Sequence, residues 1–142
     1  MATGDAGRGS VVRAMKYIVA TRKSVDEAAR ALEAAVANHK FGVLHVYDLK
    51  QTLAGKGFTL PGECRVYEVC NPQQAHKVLT ADMSMNMALP CRISVWQENG
   101  KTLVGMVLPT ALLASMSTAA QLGEVAESVE RETKAMIDEA CR

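Results

Sequence analysis

The stretch from Cys91 to Leu108 constrains the fold most. Two runs rich in apolar and β-branched residues, Cys91-Arg92-Ile93-Ser94-Val95-Trp96 and Thr102 to Leu108, flank Glu98-Asn99-Gly100-Lys101. Asn-Gly between two such runs predicts a hairpin, because both residues accept the positive φ of a tight antiparallel turn. The unbroken apolar character of the second run predicts burial on both faces. Pro109 ends it, since proline has no amide hydrogen to give to a ladder.

Three more strands are expected upstream, at Tyr17–Thr21, Gly42–Asp48 and Arg65–Cys70. Ser24 with Glu27 forms a capping box, in which the hydroxyl accepts a free amide of the first helical turn and the carboxylate reaches back. Val25, Ala28, Ala29, Leu32, Ala35 and Val36 then share one helical face. Gly42 is expected to end this helix. Leu49 to Leu53 suits one helical turn. Asn71-Pro72 opens a second helix, with Asn as N-cap and Pro in the first turn. A final helix is predicted from about Thr118 to Ala140, on the stripe Leu122, Val125, Ala126, Val129, Met136, Ile137 and Ala140. Ala111 to Met116 is a separate turn or its beginning.

The order β-α-β-β-α-β-β-α predicts an α+β chain. It is a single compact domain with a largely antiparallel sheet of about five strands and helices on one face. Residues 1–12, rich in Gly, are expected to be a flexible lead, and residues 13–142 the domain. A chain of 142 residues buries roughly two-thirds of its unfolded surface, enough to fold without staples.

Charge narrows the partners. Sixteen basic and fifteen acidic residues give a net charge of +1, which argues against a dedicated nucleic-acid binder. The uncharged stretch from Thr102 to Gly123 is long enough to span a bilayer, but Pro109 splits it and Gly, Ser and Thr dilute it. A strand, a break and a helix explain it better. No signal-peptide pattern opens the chain, so a cytoplasmic protein with reduced thiols is expected.

The chemistry-bearing residues are mostly sulfur. The chain has eight Met and four Cys. No haem-attachment, NAD-type or nucleotide-binding motif occurs. Met83-Ser84-Met85-Asn86-Met87, followed by Cys91, offers soft ligands of the kind that suit Cu(I). An extended segment would place its three thioethers on one side; against this, Met more often fills gaps in a core. Cys70 and Cys91, with His45, could hold Cu(I) or Zn, or form a redox pair. If their strands were parallel neighbours, the two cysteines would lie at opposite ends of the sheet. Each is equally well read as a small buried hydrophobe. Val43, His45 and Tyr47 are expected on one face of their strand. Glu68 shares a face with Cys70, and Arg92 is a candidate partner for it. His39 and His76 are expected to face solvent.

Four segments carry a family resemblance: His45-Val46-Tyr47-Asp48-Leu49, the Lys56-Gly57 loop, Glu68-Val69-Cys70-Asn71-Pro72 with Ala75, and Leu89-Pro90-Cys91 followed by a strand and Asn99-Gly100. In these the chain resembles the bacterial and archaeal family called domain of unknown function 302. The resemblance covers roughly residues 15–116. It implies an α+β fold similar in topology to the TATA-binding protein, and a homodimer. It brings no nucleic-acid binding, because topology does not fix function. By the motif match, Cys70, Asn71, Pro72, Pro90 and Cys91 carry over as the candidate site.

Three readings follow. The first is a small binding module holding a soft metal or a sulfur species through Cys70 and Cys91, with Asn71, His45, Met85 and Met87 as further contacts. The second is an interaction domain without chemistry, a homodimer joined through the final helix. The third, ranked behind these, is a thiol-dependent redox enzyme.

Overall fold

The computed structural model describes residues 15–142, so the expected lead over residues 1–12 lies outside the described residues. The chain runs β1 (Lys16–Thr21), α1 (Val25–Asn38), β2 (Gly42–Asp48), α2 (Leu49–Ala54), β3 (Cys64–Cys70) and α3 (Pro72–Ala81). A 3₁₀ helix (Met83–Met87), β4 (Cys91–Glu98), β5 (Lys101–Val107), α4 (Pro109–Met116) and α5 (Ala120–Cys141) follow. The hairpin forms between β4 and β5, with Asn99 at φ 53° and Gly100 at φ 76°. Glu98 and Lys101 close it as the last pair.

All five strands join one sheet in the order β1-β5-β4-β3-β2, and every neighbouring pair is antiparallel. Alternation splits the side chains between two faces. Val104, Val95, Ile93, Tyr67 and Val69 turn to one face and are buried there. They meet Leu32 and Val36 of α1 and Met136 and Ile137 of α5 in the main core. Removing each such aliphatic side chain from water contributes about 1.5–3 kcal/mol. Among the described residues no helix covers the opposite face. Ile18, Gly105, Ser94, Val66 and Tyr47 form one row straight across it, each paired with the next.

Local signals set the helix ends. The Ser24 hydroxyl accepts the Glu27 amide at 3.1 Å, and the Glu27 carboxylate accepts the Ser24 amide at 3.1 Å. The other end of α1 differs from expectation. Lys40, not Gly42, takes the left-handed conformation, at φ 62°. The Phe41 amide then donates back to the Val36 carbonyl at 3.0 Å, which satisfies a terminal carbonyl and carries Phe41 into the core.

Three further expectations need correction. β5 is not buried on both faces: Thr102, Val104 and Met106 are covered, whereas Val107 on the helix-free face is 48% exposed. Gly105 on that face is shielded because the Trp96 ring reaches it; a Cβ there would stand 3.2 Å from the indole. Val43 does not share a face with His45. A bulge falls between them, and an extra residue in one strand reverses the alternation. The stripe of α5 is not a free surface, since Leu122, Ala126, Val129, Met136, Ile137 and Ala140 are all consumed in the chain's own core. The uncharged stretch resolves into β5, α4 and the start of α5. No helix among the described residues is long and apolar enough to cross a membrane.

Candidate site at the cysteine end of the sheet

β3 ends at Cys70 and β4 begins at Cys91. Because the two strands are antiparallel, Val69 pairs with Cys91, and the two cysteines lie at the same end of the sheet. Alternation sends Cys91 with Ile93 and Val95 towards the helices, where it packs on the main core. It sends Cys70 with Glu68 and Val66 towards the helix-free face. The thiols therefore stand at neighbouring backbone positions on opposite faces. Both are half-buried. Burial pushes the Cys91 thiol up to about 11, and the neighbouring Cys70 adds to the shift. Burial also raises the Cys70 thiol above its ordinary value. Both are protonated at neutral pH.

The residues flanking each cysteine build a pocket around them. Asn71 accepts the Gln74 amide at 3.2 Å, and this cap with Pro72 in the first turn starts α3 directly after Cys70. The chain returns to Cys91 through the 3₁₀ helix and Leu89-Pro90. α4 and α5 close the far side. The pocket is open to solvent on one side and is about 780 Å³, within the usual range for a small-molecule site. Cys70, Asn71, Pro90 and Cys91 border it, with Leu112, Leu113 and Met116 opposite.

The remaining candidates are dispersed. His45 pairs with Glu68 on the helix-free face and sets its ring edge-on to Tyr47, 4.4 Å between centroids; it does not border the pocket. The methionine segment is helical, not extended. At about three residues per turn, positions two apart point in different directions. Met85 is buried with Val78, Leu113, Leu122 and Ala126. Met83 is 68% and Met87 74% exposed, and Met87 alone of the three borders the pocket. The three thioethers share no site, and Met85 is a core residue. Among the described residues no three His, Cys, Asp or Glu side chains gather to hold a metal ion.

Glu68 finds the partner expected of it. Arg92 reaches it at 3.5 Å, and the Tyr47 hydroxyl donates to it at 3.1 Å. The hydrogen bond to Glu68 raises the Tyr47 phenol. Asp48 caps α2 by accepting the Gln51 amide at 3.0 Å.

One polar cluster was missed on sequence. His39 does not face solvent alone. Its Nδ1 meets Glu132 at 2.5 Å and its Nε2 meets Glu139 at 2.8 Å. These hydrogen bonds, Glu139 first, raise its pKa against an opposing desolvation. A signal was present: glutamates seven apart return to one helix face.

The fold describes a small α+β domain with one five-stranded antiparallel sheet and a pocket at its end. Comparison with known proteins places it. The sequence model described as domain of unknown function DUF302 matches residues 17–140. The crystal structure of an uncharacterized conserved DUF302 protein from Bacillus stearothermophilus is similar, at 34% identity and a TM-score of 0.84. The match covers 90% of this chain and 98% of that one. The chain belongs to the DUF302 family. None of the curated proteins matches it.

Proposed function

We propose that residues 13–142 act as a small binding module whose ligand enters the pocket at the cysteine end of the sheet and meets the thiols there. One observation carries this reading. The two segments of the family pattern, Cys70-Asn71-Pro72 and Leu89-Pro90-Cys91, are far apart in sequence but border a single pocket. The thiols suit a soft species, a Cu(I) ion or a sulfur compound. A metal ion would have to displace the thiol protons, so binding would tighten as pH rises. The raised Cys91 thiol speaks against the redox-enzyme reading, since a nucleophilic cysteine needs a lowered pKa.

Anaerobic titration with Cu(I) against a competing chelator tests the proposal. The wild type should bind one equivalent and Cys91→Ser should lose it. Equal uptake by wild type and a Cys70→Ser/Cys91→Ser double variant would refute a thiol site.

A second reading has its own support. β2 is an edge strand, and it holds Val43, Leu44, Val46 and Tyr47, four of the exposed large hydrophobic residues. Exposed apolar edges invite pairing. A homodimer joined through β2 replaces the earlier expectation of one joined through the final helix. Sedimentation of Leu44→Lys/Val46→Lys against the wild type tests it. A dimer in the wild type and a monomer in the variant support it; the same mass for both counts against it.

A further inference from the structure

The pocket has two unlike parts. Its inner wall, formed by α3, α4 and α5, is aliphatic, with Val78, Leu79, Leu113 and Val129 among its lining. Its outer part runs onto the helix-free face and carries Lys16 and Arg92. These cations stand at the same level of the sheet. Lys16 pairs with Val107 on β5. Arg92 lies two residues before Ser94, and Val107 two after its partner Gly105, so continued register sets Arg92 beside Val107. Two cations thus flank one exposed valine, against one carboxylate, Glu68, in the row. Arg92 is held loosely, 65% exposed in its side chain and 3.5 Å from Glu68. Its guanidinium leans over the Tyr47 ring at 5.9 Å.

We infer that the pocket takes an aliphatic monoanion, a carboxylate with a straight hydrocarbon tail. The tail lies against the inner wall, and the carboxylate meets Arg92 and Lys16 at the mouth. The chemistry follows from the lining. An inner wall dominated by Val, Leu and Met offers dispersion and water exclusion but no directional polar contact. The only inward polar groups on α3 are already engaged: Asn71 caps the helix and Gln74 donates to Ser128 at 3.3 Å. Asn86 of the 3₁₀ helix donates to the Met83 carbonyl at 2.7 Å, and charged recognition is confined to the mouth, where the excess is positive. A guanidinium already facing one carboxylate can present its remaining N–H donors to a second.

This inference rests on the reading of the domain as a pocket-binding module but not on its thiols. A fatty carboxylate has no soft atom, so its binding and that of Cu(I) succeed or fail separately. Trp96 is the single tryptophan of the chain and borders the pocket, which makes its fluorescence a direct readout.

The experiment titrates the full chain with octanoate, decanoate and dodecanoate below their micellar concentrations, following Trp96. Affinity should rise about fourfold for each added methylene, from the free energy of burying one such group. Dodecanol and dodecyltrimethylammonium should bind at least tenfold more weakly than dodecanoate. Arg92→Glu, at an exposed position, should weaken dodecanoate about tenfold or more while the far-ultraviolet circular dichroism stays unchanged. Leu112→Phe, which fills the inner part and leaves Trp96 the single tryptophan, should weaken all three acids. Affinity independent of chain length would overturn the aliphatic assignment. Equal affinity for the cationic and anionic amphiphiles, or no response to Arg92→Glu, would overturn the anionic one.

Discussion

The two hydrophobic clusters of this domain differ in extent and in what they border. The main cluster joins α1 and α5 to the sheet, and Leu32, Ile93, Val95, Val104, Met136 and Ile137 in it are all 0% exposed. The second cluster has only Val78, Met85, Leu113, Leu122 and Ala126 as buried members. It holds α3, the 3₁₀ helix and α4 over the end of the sheet, and it borders the pocket. α4 has no side-chain cap and starts on Pro109, whereas α1 has a full capping box. Close packing leaves no room for a ligand. A larger body carrying a smaller cap beside a pocket supplies both a fixed frame and space.

Four measurements test this contrast. Leu32→Ala should cost about 3 kcal/mol in urea unfolding, because a fully buried leucine leaves a cavity in a body that cannot collapse. Leu113→Ala, beside a pocket that already exists, should cost about half as much. Equal losses would remove the distinction between the two clusters.

Gly105→Val probes the helix-free face, where no helix has to move. A Cβ at Gly105 would lie 2.9 Å from Ile18 Cγ1 and 3.0 Å from the Tyr17 carbonyl. Overpacking of this kind should cost about 2 kcal/mol, with the Trp96 emission shifted as its ring is displaced. An unaltered midpoint and spectrum would show that the ring does not rest on this glycine.

His39 ties α1 to α5 within the rigid body. His39→Ala should cost about 1 kcal/mol, as partly exposed ion pairs do. The sign of the pH effect follows from its raised pKa. The stabilisation is present below the unfolded value of about 6.5 and is lost as pH rises through the folded value. Wild type and variant should therefore converge in stability on the alkaline side. Convergence on the acid side instead would contradict the clamp.

Arg92→Ala should change stability least, by less than about 0.5 kcal/mol, because its pair with Glu68 is exposed and long. A loss above about 1 kcal/mol would make Arg92 part of the scaffold and not of the pocket mouth.

Much of the architecture was legible in short segments. Ser24 with Glu27, Asn71-Pro72 and Asn99-Gly100 each act within four residues, and each occurs in the structure as its chemistry requires. The Glu68–Arg92 pair was also anticipated, from the face shared with Cys70. The errors fell where non-local pairing decides. The bulge at Val43/His45 depends on β3 as a partner. The apolar run of β5 reads as doubly buried, but among the described residues no helix covers its outer face. Met85 and its neighbours resemble a ligand set in sequence, yet Met85 is held by side chains from α3, α4 and α5. The candidate cysteine pair was legible as two residues but not as a geometry, since spacing does not say whether two strands run parallel.

Local signals along the chain account for the five strands, for α1, α3 and α5, for most of their ends, and for the fold-back of Cys91–Leu108. These follow from backbone sterics, capping and side-chain periodicity, which act over a few residues. Only the tertiary structure decided the register that sets Val69 beside Cys91, the placement of the two thiols on opposite faces, the His39 clamp and the pocket. These depend on contacts between residues distant in the chain, whose energies exist only once the sheet and its helices have assembled.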